Sequence, residues 1–368
     1  MNTASTTSTH TPLTSRERVI RALERRDHDR VPRHEGFWND TIAAWNKQGF
    51  TGDHDALLDF MRSDIRSVGW VWVVPFPGEC SQISEDADTI TMFDDYGATV
   101  RYWKKRSGTP EHLAFACDSP DLWRSKFRPA FESVPLQINL DNARAAMSKG
   151  SAADRFLTWS GVGPVEIMRR LLGDEGMALA IGEDPDWVIE MAEVFTDAQL
   201  KNFQAGADAG IGADCLWIYE DLAYTASMFF SPAAYEKLFW PSHARMCRWA
   251  HERGMKFIFH TDGDVKPVIP LFIKAGFDAM QPMEAKSRMD VRELAPIYGG
   301  KITFFGNIDV RVLSSNDLEK IGEEVRGKLR AGMANKGYIA HSDHSIPPDM
   351  TFSSFKEFGR LVDEHGNY

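Results

Sequence analysis

Acidic and histidine residues follow several short apolar segments of this sequence, at the points where those segments end. The clearest example is Lys256–Val265, in which Phe257–Phe259 precedes His260, Asp262 and Asp264 at alternate positions. Alternate side chains of a β-strand point to the same face, so His260 and Asp262 would lie side by side if the strand continues that far. An imidazole and a carboxylate suit a divalent metal. The structural alternative is that Asp262 caps the next helix, a common role of aspartate.

The same arrangement recurs after other predicted strands. The polar residues at these positions are Glu220, Asp221, Glu284, Asn307, Asp309, Asp343 and His344. Several carboxylates close together repel each other unless they bind a cation, share a proton or meet a cationic substrate. Adjacent residues of a strand point to opposite faces, so at most one of Glu220 and Asp221 is expected to face inward. Of the two histidines in His341–His344, one is expected only to pack.

Two pairs of arginines on predicted helices are candidates for binding a carboxylate. Arg62 and Arg66 lie one turn apart on the predicted helix 55–66, and Arg169 and Arg170 lie on a later helix. The planar guanidinium matches a carboxylate through two parallel hydrogen bonds. A solvated helix face is the simpler explanation of both pairs.

Strands and helices alternate between these polar positions. The predicted strands are 69–74, 156–159, 215–219, 257–259, 278–281, 301–305 and 337–340. Helices such as 185–208 and 316–334 separate them, which is the order of parallel βαβ units. An open doubly wound sheet would show the same alternation, but its chemistry collects at one switch point. Polar residues after every late strand favour a (β/α)8 barrel, in which all the carboxyl ends of the strands share one mouth.

The predicted domain organisation is one barrel with a short tail. Residues 1–14 are rich in Ser and Thr and lack the apolar core of a secretory signal, so they predict a disordered tail. A capping box, Thr14-x-x-Glu17, marks the first helix of the single barrel domain, residues 15–368. Residues 75–130 have an irregular pattern and are predicted to cover the mouth.

Charge and composition exclude several classes of function. The chain has 42 basic and 53 acidic residues, a net charge of −11, and no basic stripe that could hold nucleic-acid phosphates. No segment approaches the roughly 20 apolar residues that cross a bilayer. The four cysteines have no C-x-x-C spacing, which is typical of reduced thiols and predicts a cytoplasmic protein.

Three segments resemble the uroporphyrinogen decarboxylase superfamily. They are SRERVIRALERRDHDRVP at 15–32, the region 257–309 from FHTDGDV to FFGNID, and GYIAHSDHSIPPD at 337–349. The resemblance implies a (β/α)8 barrel, in agreement with the pattern of elements. It also implies one of two chemistries, because the superfamily holds cofactor-free decarboxylases and metal-dependent, corrinoid-linked methyltransferases.

The decarboxylase branch holds its substrate with arginines of a Q-A-G-R-Y motif, helped by an aspartate, a tyrosine and a late histidine. The corresponding segment here reads RHEGFW, with Arg33 as the nearby arginine, while Asp64 and His344 stand in for the aspartate and the histidine. The missing arginines argue against a tetrapyrrole polycarboxylate. The resemblance to this branch leaves an alternative, decarboxylation of a smaller carboxylate with His344 or Asp64 as the proton donor and Arg33, Arg62 or Arg66 as the clamp.

The methyltransferase branch resembles the sequence better around 257–309. Its members bind zinc through H-x-C after this strand and through a second cysteine after the last strand. Here Asp262 replaces the first cysteine, and Asp343 and His344 stand near the second. The resemblance therefore implies a site of histidine and carboxylate ligands, which suits zinc and harder ions.

We therefore predict a metal-dependent methyltransferase or demethylase that acts on a small molecule at the barrel mouth. The predicted metal ligands are His260, Asp262 and Asp343, the predicted catalytic residues are Glu220, Glu284 and His344, and the predicted substrate-binding residues are Arg33, Asp64, Arg169 and Asn307. The resemblance implies zinc as the metal, a corrinoid on a separate protein as the methyl acceptor, and a homodimer. A scaffold barrel without activity is disfavoured, because it has little need for a mouth of carboxylates and histidines.

Overall fold

The computed structural model describes residues 12–368, so most of the predicted tail lies outside the described residues. The strands are β1 (Ile65–Val71), β2 (Ser81–Glu85), β3 (Thr89–Phe93), β4 (Thr99–Trp103), β5 (Glu111–Ala114), β6 (Phe156–Val162), β7 (Cys215–Tyr219), β8 (Lys256–Thr261), β9 (Ala279–Pro282), β10 (Thr303–Phe305) and β11 (Tyr338–Ile339). The helices are α1 (Ser15–Leu23), α2 (Asn39–Asn46), α3 (His54–Phe60), α4 (Pro120–Leu122), α5 (Arg128–Ser133), α6 (Leu140–Ala152), α7 (Pro164–Glu183), α8 (Pro185–Asp208), α9 (Pro232–Leu238), α10 (Trp240–His251), α11 (Ile269–Ala275), α12 (Val291–Tyr298), α13 (Val310–Ser314), α14 (Leu318–Met333) and α15 (Phe352–His365).

Seven parallel strands form the central sheet, in the order β1-β6-β7-β8-β9-β10-β11. Helices connect successive strands of this sheet. A short extended segment, Pro32–His34, joins its two edges. Ala340 N donates a hydrogen bond to Pro32 O (2.8 Å), His34 N donates to Ala340 O (3.1 Å), and Asp64 N donates to Arg33 O (2.9 Å). This segment therefore occupies the eighth position of the wall, bonded to Ala340 after β11 on one side and to Asp64 just before β1 on the other, and the predicted (β/α)8 barrel is confirmed.

The inner face of the barrel is filled by side chains that alternate along the strands. A buried cluster inside the barrel combines α1 with the inward residues of the strands, namely Val19, Ala22, Leu23, Ile65, Phe156, Cys215, Trp217, Ile258, Ala279, Phe305 and Ile339. Helix α1 lies at the amino ends of the strands, and it begins with the predicted capping box of Thr14 and Glu17. One end of the barrel is thus plugged by α1, which leaves the carboxyl ends of the strands as the mouth.

Residues 75–130 contain a second, antiparallel sheet rather than irregular structure. Its strand order is β2-β3-β4-β5, and α4 and α5 follow it. Strand β2 is exposed along its whole length, so its sequence carries no alternation that would reveal a strand. The Tyr96 hydroxyl donates to Val73 O (2.8 Å) and ties this sheet to the end of the barrel wall. The loop before β5 brings Thr109 over the mouth.

The structure changes the boundaries of two predicted elements. Strand β1 begins at Ile65 rather than at residue 69, and α3 ends at Phe60. Arg62 follows α3 with a positive φ of 54°, and Arg66 lies in β1, so they do not share a helix face. Between β7 and β8 the chain forms two helices, α9 and α10. Among residues 12–368, no helix has both the length and the apolar character that a membrane span requires.

Candidate metal centre

Strands β7 and β8 position at the mouth three side chains that could hold a metal ion. The two strands are parallel neighbours with Tyr219 paired to His260, and the two rings stack with centroids 4.5 Å apart. Asp221 and Asp262 come two residues after this pair, so they point to the same side as Tyr219 and His260. The alternation of side chains along the strands thus gathers Asp221, His260 and Asp262 at the carboxyl ends of two adjacent strands. We call these three residues the metal-binding group.

The three side chains surround a common point. His260 Nε2 lies 3.6 Å from Asp221 Oδ1 and 3.8 Å from Asp262 Oδ1, and one possible ligand atom from each residue lies within 4.8 Å of the others. Backbone and side-chain contacts fix the group. Asp262 N donates to Asp221 Oδ1 (3.0 Å), and Gln281 Oε1 lies 2.5 Å from His260 Nδ1. Because Gln281 accepts from Nδ1, Nε2 of His260 is directed to the two carboxylates.

The charges of the group depend on one another. Burial opposes ionisation of Asp221, but its hydrogen bond and its attraction to His260 outweigh burial and lower its pKa. Burial also opposes a charged His260, yet Asp221 and Asp262 raise its pKa to about 9. Burial raises the pKa of Asp262 above its usual value, and the neighbouring Asp221 carboxylate adds to the shift. Without a cation, the group therefore needs the proton on His260 to balance its carboxylates.

These residues fit a divalent cation. They offer one imidazole nitrogen and two carboxylates, which is a donor set that zinc and other borderline ions accept. Within residues 12–368, Asp262 Oδ1 is buried and has no hydrogen-bond partner. A buried carboxylate oxygen without a partner is costly, and a metal bond would satisfy it.

A cavity of about 260 Å³ opens above the group. His260, Asp262 and Gln281 form part of its wall together with aromatic and histidine side chains, namely His34, Trp38, Trp217, Tyr219, His341 and His344. His344, predicted as catalytic, therefore faces the same cavity as Asp262, and its ring packs beside Trp38 at 5.9 Å between centroids. His341 packs against Phe305 and contacts Glu35, so it is the more enclosed of the two histidines.

The structure does not bring Glu220 and Glu284 to the metal-binding group. Glu220 points away from the barrel interior, where its Oε1 accepts from Val165 N (3.0 Å) and from His243 Nε2 (2.7 Å). Glu284 Oε2 accepts from Gly263 N (2.9 Å) and from the Ser287 hydroxyl (3.0 Å). Both predicted catalytic carboxylates hold backbone in place, Glu220 at the start of α7 and Glu284 at the turn after Asp262.

Asp343 and Asn307 also bond to neighbouring loops. Asp343 accepts from Val310 N through Oδ1 and from Ala285 N through Oδ2, both at 2.8 Å. The predicted metal ligand therefore has both oxygens directed to backbone amides. Asn307 is fully buried, and its side chain donates to Met289 O (2.6 Å). The prediction that Asn307 binds substrate conflicts with this enclosure.

Arg33 and Asp64 lie away from the mouth. Asp64 precedes β1, at the end of that strand opposite the mouth, and accepts hydrogen bonds from Arg18 and Arg30. Arg33 is buried and forms an ion pair with Asp363 of α15. Both residues were predicted to bind substrate from the resemblance to the decarboxylase branch. Their contacts are structural.

Arg169 is a predicted substrate-binding residue whose charge acts on the metal-binding group. It pairs with Glu166 and Asp174 of α7. Burial raises the pKa of Asp221, but the contacts with His260 and the Asp262 amide lower it, and the positive charge of Arg169 adds a smaller lowering effect. Its guanidinium lies over the Phe229 ring, 4.6 Å from the centroid. Arg169 therefore contributes charge near the mouth, although its hydrogen bonds go to Glu166 and Asp174 of its own helix.

Of the metal-binding group, His260 and Asp262 were predicted as ligands from the sequence, whereas Asp221 was not. Gln281, which orients His260, was not predicted either. The signal for Asp221 was present, because it follows Trp217 and Tyr219 at alternate positions. Gln281 closes the predicted strand 278–281, but an amide that orients a ligand has no signature of its own.

Comparison with known protein families identifies the family of the chain. Residues 157–365, more than half of its length, match the model of the family described as uroporphyrinogen decarboxylase (URO-D). The chain belongs to the uroporphyrinogen decarboxylase family. The matched region contains β7, β8 and all three residues of the metal-binding group. A search among curated proteins returned no match.

A solved structure supports the fold of this family member. A methyltransferase from Methanosarcina mazei superposes with a TM-score of 0.66 at 15% identity, over 96% of this chain and 99% of that chain. Fungal β-1,4-galactanases give a TM-score of 0.41 at 11% identity over 90% of this chain and 99% of theirs. A D-psicose 3-epimerase from Clostridium cellulolyticum H10 gives 0.36 at 11% identity, over 62% and 83% of the two chains.

Proposed function

We propose that this member of the uroporphyrinogen decarboxylase family is a metal-dependent methyltransferase or demethylase that acts on a small molecule at the barrel mouth. The observation that carries the proposal is the convergence of Asp221, His260 and Asp262 around one point, with a buried Asp262 oxygen that has no partner among the described residues. The acceptor in this proposal is a corrinoid on a separate protein. The fold shared with the Methanosarcina mazei methyltransferase is compatible with this activity.

The side chains around the group have separate tasks in this proposal. Asp221, His260 and Asp262 would hold the metal, and a divalent metal there supplies Lewis acidity to the oxygen or nitrogen that the methyl group leaves. Gln281 fixes the ring of His260 by accepting from Nδ1. Tyr219 stacks on that ring and shields it from water. His344 faces the cavity and is placed to exchange a proton with the departing group.

The decarboxylase alternative receives less support from the positions of its residues. Its proposed clamp residues Arg33 and Arg62 both pair with Asp363 of α15. Its proposed proton donor Asp64 is enclosed by arginines beneath the barrel. Of the residues named for that alternative, His344 lines the cavity above the metal-binding group and Arg66 lines a neighbouring cavity, where it pairs with Asp59.

Metal content is the experiment that tests the proposed function. Protein purified without a metal-affinity tag is expected to hold about one equivalent of a divalent transition metal, measured by plasma mass spectrometry. Methyl transfer from a panel of methyl ethers and methylamines to free cob(I)alamin, followed by absorbance, is expected to stop after chelation and to return when the metal is restored. A folded protein that contains no metal and takes up none would overturn the proposal.

Metal affinity is expected to rise with pH between 7 and 9. His260 must lose its proton before Nε2 can bind a metal, and in the metal-free protein its two carboxylate neighbours overcome burial and raise its pKa to about 9. At pH 7 the metal therefore displaces about one proton, so affinity gains about tenfold per pH unit until the pH reaches that pKa. Zinc titration against a competing chelator at pH 7, 8 and 9 measures the slope. A flat profile would show that His260 is not a ligand.

A further inference from the structure

The barrel wall is open on one side. Among the described residues, one backbone hydrogen bond joins the eighth segment to β1, from Asp64 N to Arg33 O (2.9 Å). Beyond Arg33, the chain turns toward the residues after β11 instead. Ile346 N donates to Gly36 O (2.8 Å), and Phe37 pairs with Ile346. The edge of β1 beyond Ile65 is therefore separated from residues 34–37.

A cavity of about 640 Å³ passes through this opening, which is a size typical of small-molecule sites. Its inner wall is the barrel interior, with Thr158, Ser160, Trp217 and Tyr219. Trp217 and Tyr219 also line the cavity above the metal-binding group, so the two cavities share a wall. Its outer wall is the face of α6 that carries the small residues Ala145, Ala146, Gly150 and Ala153. We name this space the lateral cavity.

Trp70 presents an aromatic surface within the lateral cavity. Its ring lies 4.6 Å from Tyr219 and 6.1 Å from Trp72 between centroids, and 43% of the residue is nevertheless exposed. Tyr219 in turn stacks on His260. An aromatic surface thus runs from the metal-binding group to the opening, and it favours a planar apolar ligand that can stack.

The outer end of the lateral cavity carries an excess of positive charge. Arg66, Lys149 and Arg155 line it together with the two carboxylates of Asp55 and Asp59. Arg66 and Arg155 share Asp59, while Lys149 pairs with Asp55. The third carboxylate of the lining, Glu35, is fully buried and accepts from the Ser342 amide and hydroxyl, so three cations face two carboxylates at the outer end. This end therefore favours an anionic group.

We propose that the lateral cavity binds the body of the substrate, a planar and largely apolar molecule with an anionic group at the end remote from the metal-binding group. The reacting end lies beside His260 and Asp262, the ring system stacks on Trp70 and Tyr219, and the anionic group meets Arg66 and Lys149. The inference rests on the proposed function only for the identity of the reacting end. Binding of the body depends on side chains that are not metal ligands.

Two fluorescent probes with one ring system separate the contributions of stacking and charge. They are 8-anilinonaphthalene-1-sulfonate, which is anionic, and N-phenyl-1-naphthylamine, which lacks the sulfonate. We expect Trp70→Ala to weaken both probes at least about tenfold, because both lose the stacking surface. Trp103→Ala is the matched control, since Trp103 is exposed to the same extent (43%) but lies on β4 outside the lateral cavity.

Charge variants test the anionic end. Lys149→Gln and Arg66→Gln are each expected to weaken the sulfonate probe several-fold and to leave the neutral probe unchanged. Lys149 is exposed, so its variant provides a result even if Arg66→Gln fails to fold. Equal effects on the two probes would overturn the anionic assignment. Equal effects of Trp70→Ala and Trp103→Ala, or none, would overturn the site.

The same titrations distinguish this inference from the proposed function. Probe binding to the full-length protein is measured before and after chelation, and again with His260→Ala. Retained binding together with absent metal would reject the proposed function and leave the lateral cavity as a ligand site. Bound metal together with no effect of Trp70→Ala would reject the lateral site alone.

Discussion

Replacing His260 or Asp262 with alanine is expected to reduce bound metal from about one equivalent to less than about a tenth, and to abolish methyl transfer with it. Each variant leaves two of three ligands around the point where Asp221, His260 and Asp262 meet. Loss of a residue that only orients a ligand already costs about 10- to 100-fold in affinity, so loss of a ligand should cost more. Plasma mass spectrometry on the purified variants gives the metal content.

Two further variants serve as the control and as an intermediate case for this experiment. Asp264→Ala is the matched control, because Asp264 belongs to the same loop but pairs with Lys266. It is expected to keep its metal. Gln281→Ala removes the acceptor for His260 Nδ1 and is expected to lie between the control and the ligand variants. A His260→Ala protein that retains full metal occupancy would place the metal elsewhere.

Replacing Asp64 with alanine is expected to lower the free energy of unfolding by about 3–5 kcal/mol, the usual cost of removing one partner from a buried ion pair. Asp64 is fully buried and accepts hydrogen bonds from Ser15, Arg18, Arg30 and the Arg33 backbone. Without it, the largely buried Arg18 retains Asp29 but loses its inner partner. Urea unfolding followed by circular dichroism measures the change.

An exposed carboxylate supplies the control for Asp64. Asp59 is exposed and pairs with Arg66, so Asp59→Ala is expected to cost no more than about 1 kcal/mol. The comparison also separates two roles for Asp64. An Asp64 that acts as the proton donor of the decarboxylase alternative would lose activity on substitution while stability stays near that of the wild type. We expect the opposite result, in which Asp64→Ala lowers the stability and any loss of activity follows from unfolding.

The fold was predictable because its pattern is repeated. The buried strands β6 to β11 are apolar segments that end at polar residues, and the sequence places each of them within a few residues of its observed position. The segment in the eighth wall position was not predictable. Pro32–His34 makes few backbone contacts and is held mainly by distant residues such as Ala340, so local sequence gives it no strand signal.

The site was predictable only where side-chain direction follows from strand period. His260 and Asp262 extend the alternation of β8, and the structure brings them together. Asp343 has the same composition signal, yet its oxygens accept from amides at residues 285 and 310, which are distant in sequence. A carboxylate after a strand binds either a ligand or the backbone of a neighbouring loop, and only the three-dimensional arrangement distinguishes the two.

The eighth wall position joins residues that are about 300 positions apart in the chain. Pro32 bonds to Ala340, and Val31 N donates to Gly366 O (2.7 Å). The ring of strands therefore cannot close during translation until residue 340 has left the ribosome. At about 5–20 residues per second, the amino-terminal segment waits roughly 15–60 s for its partners. During that time the eighth segment lacks its partner Ala340, and the joint between this segment and the end of β11 is completed last.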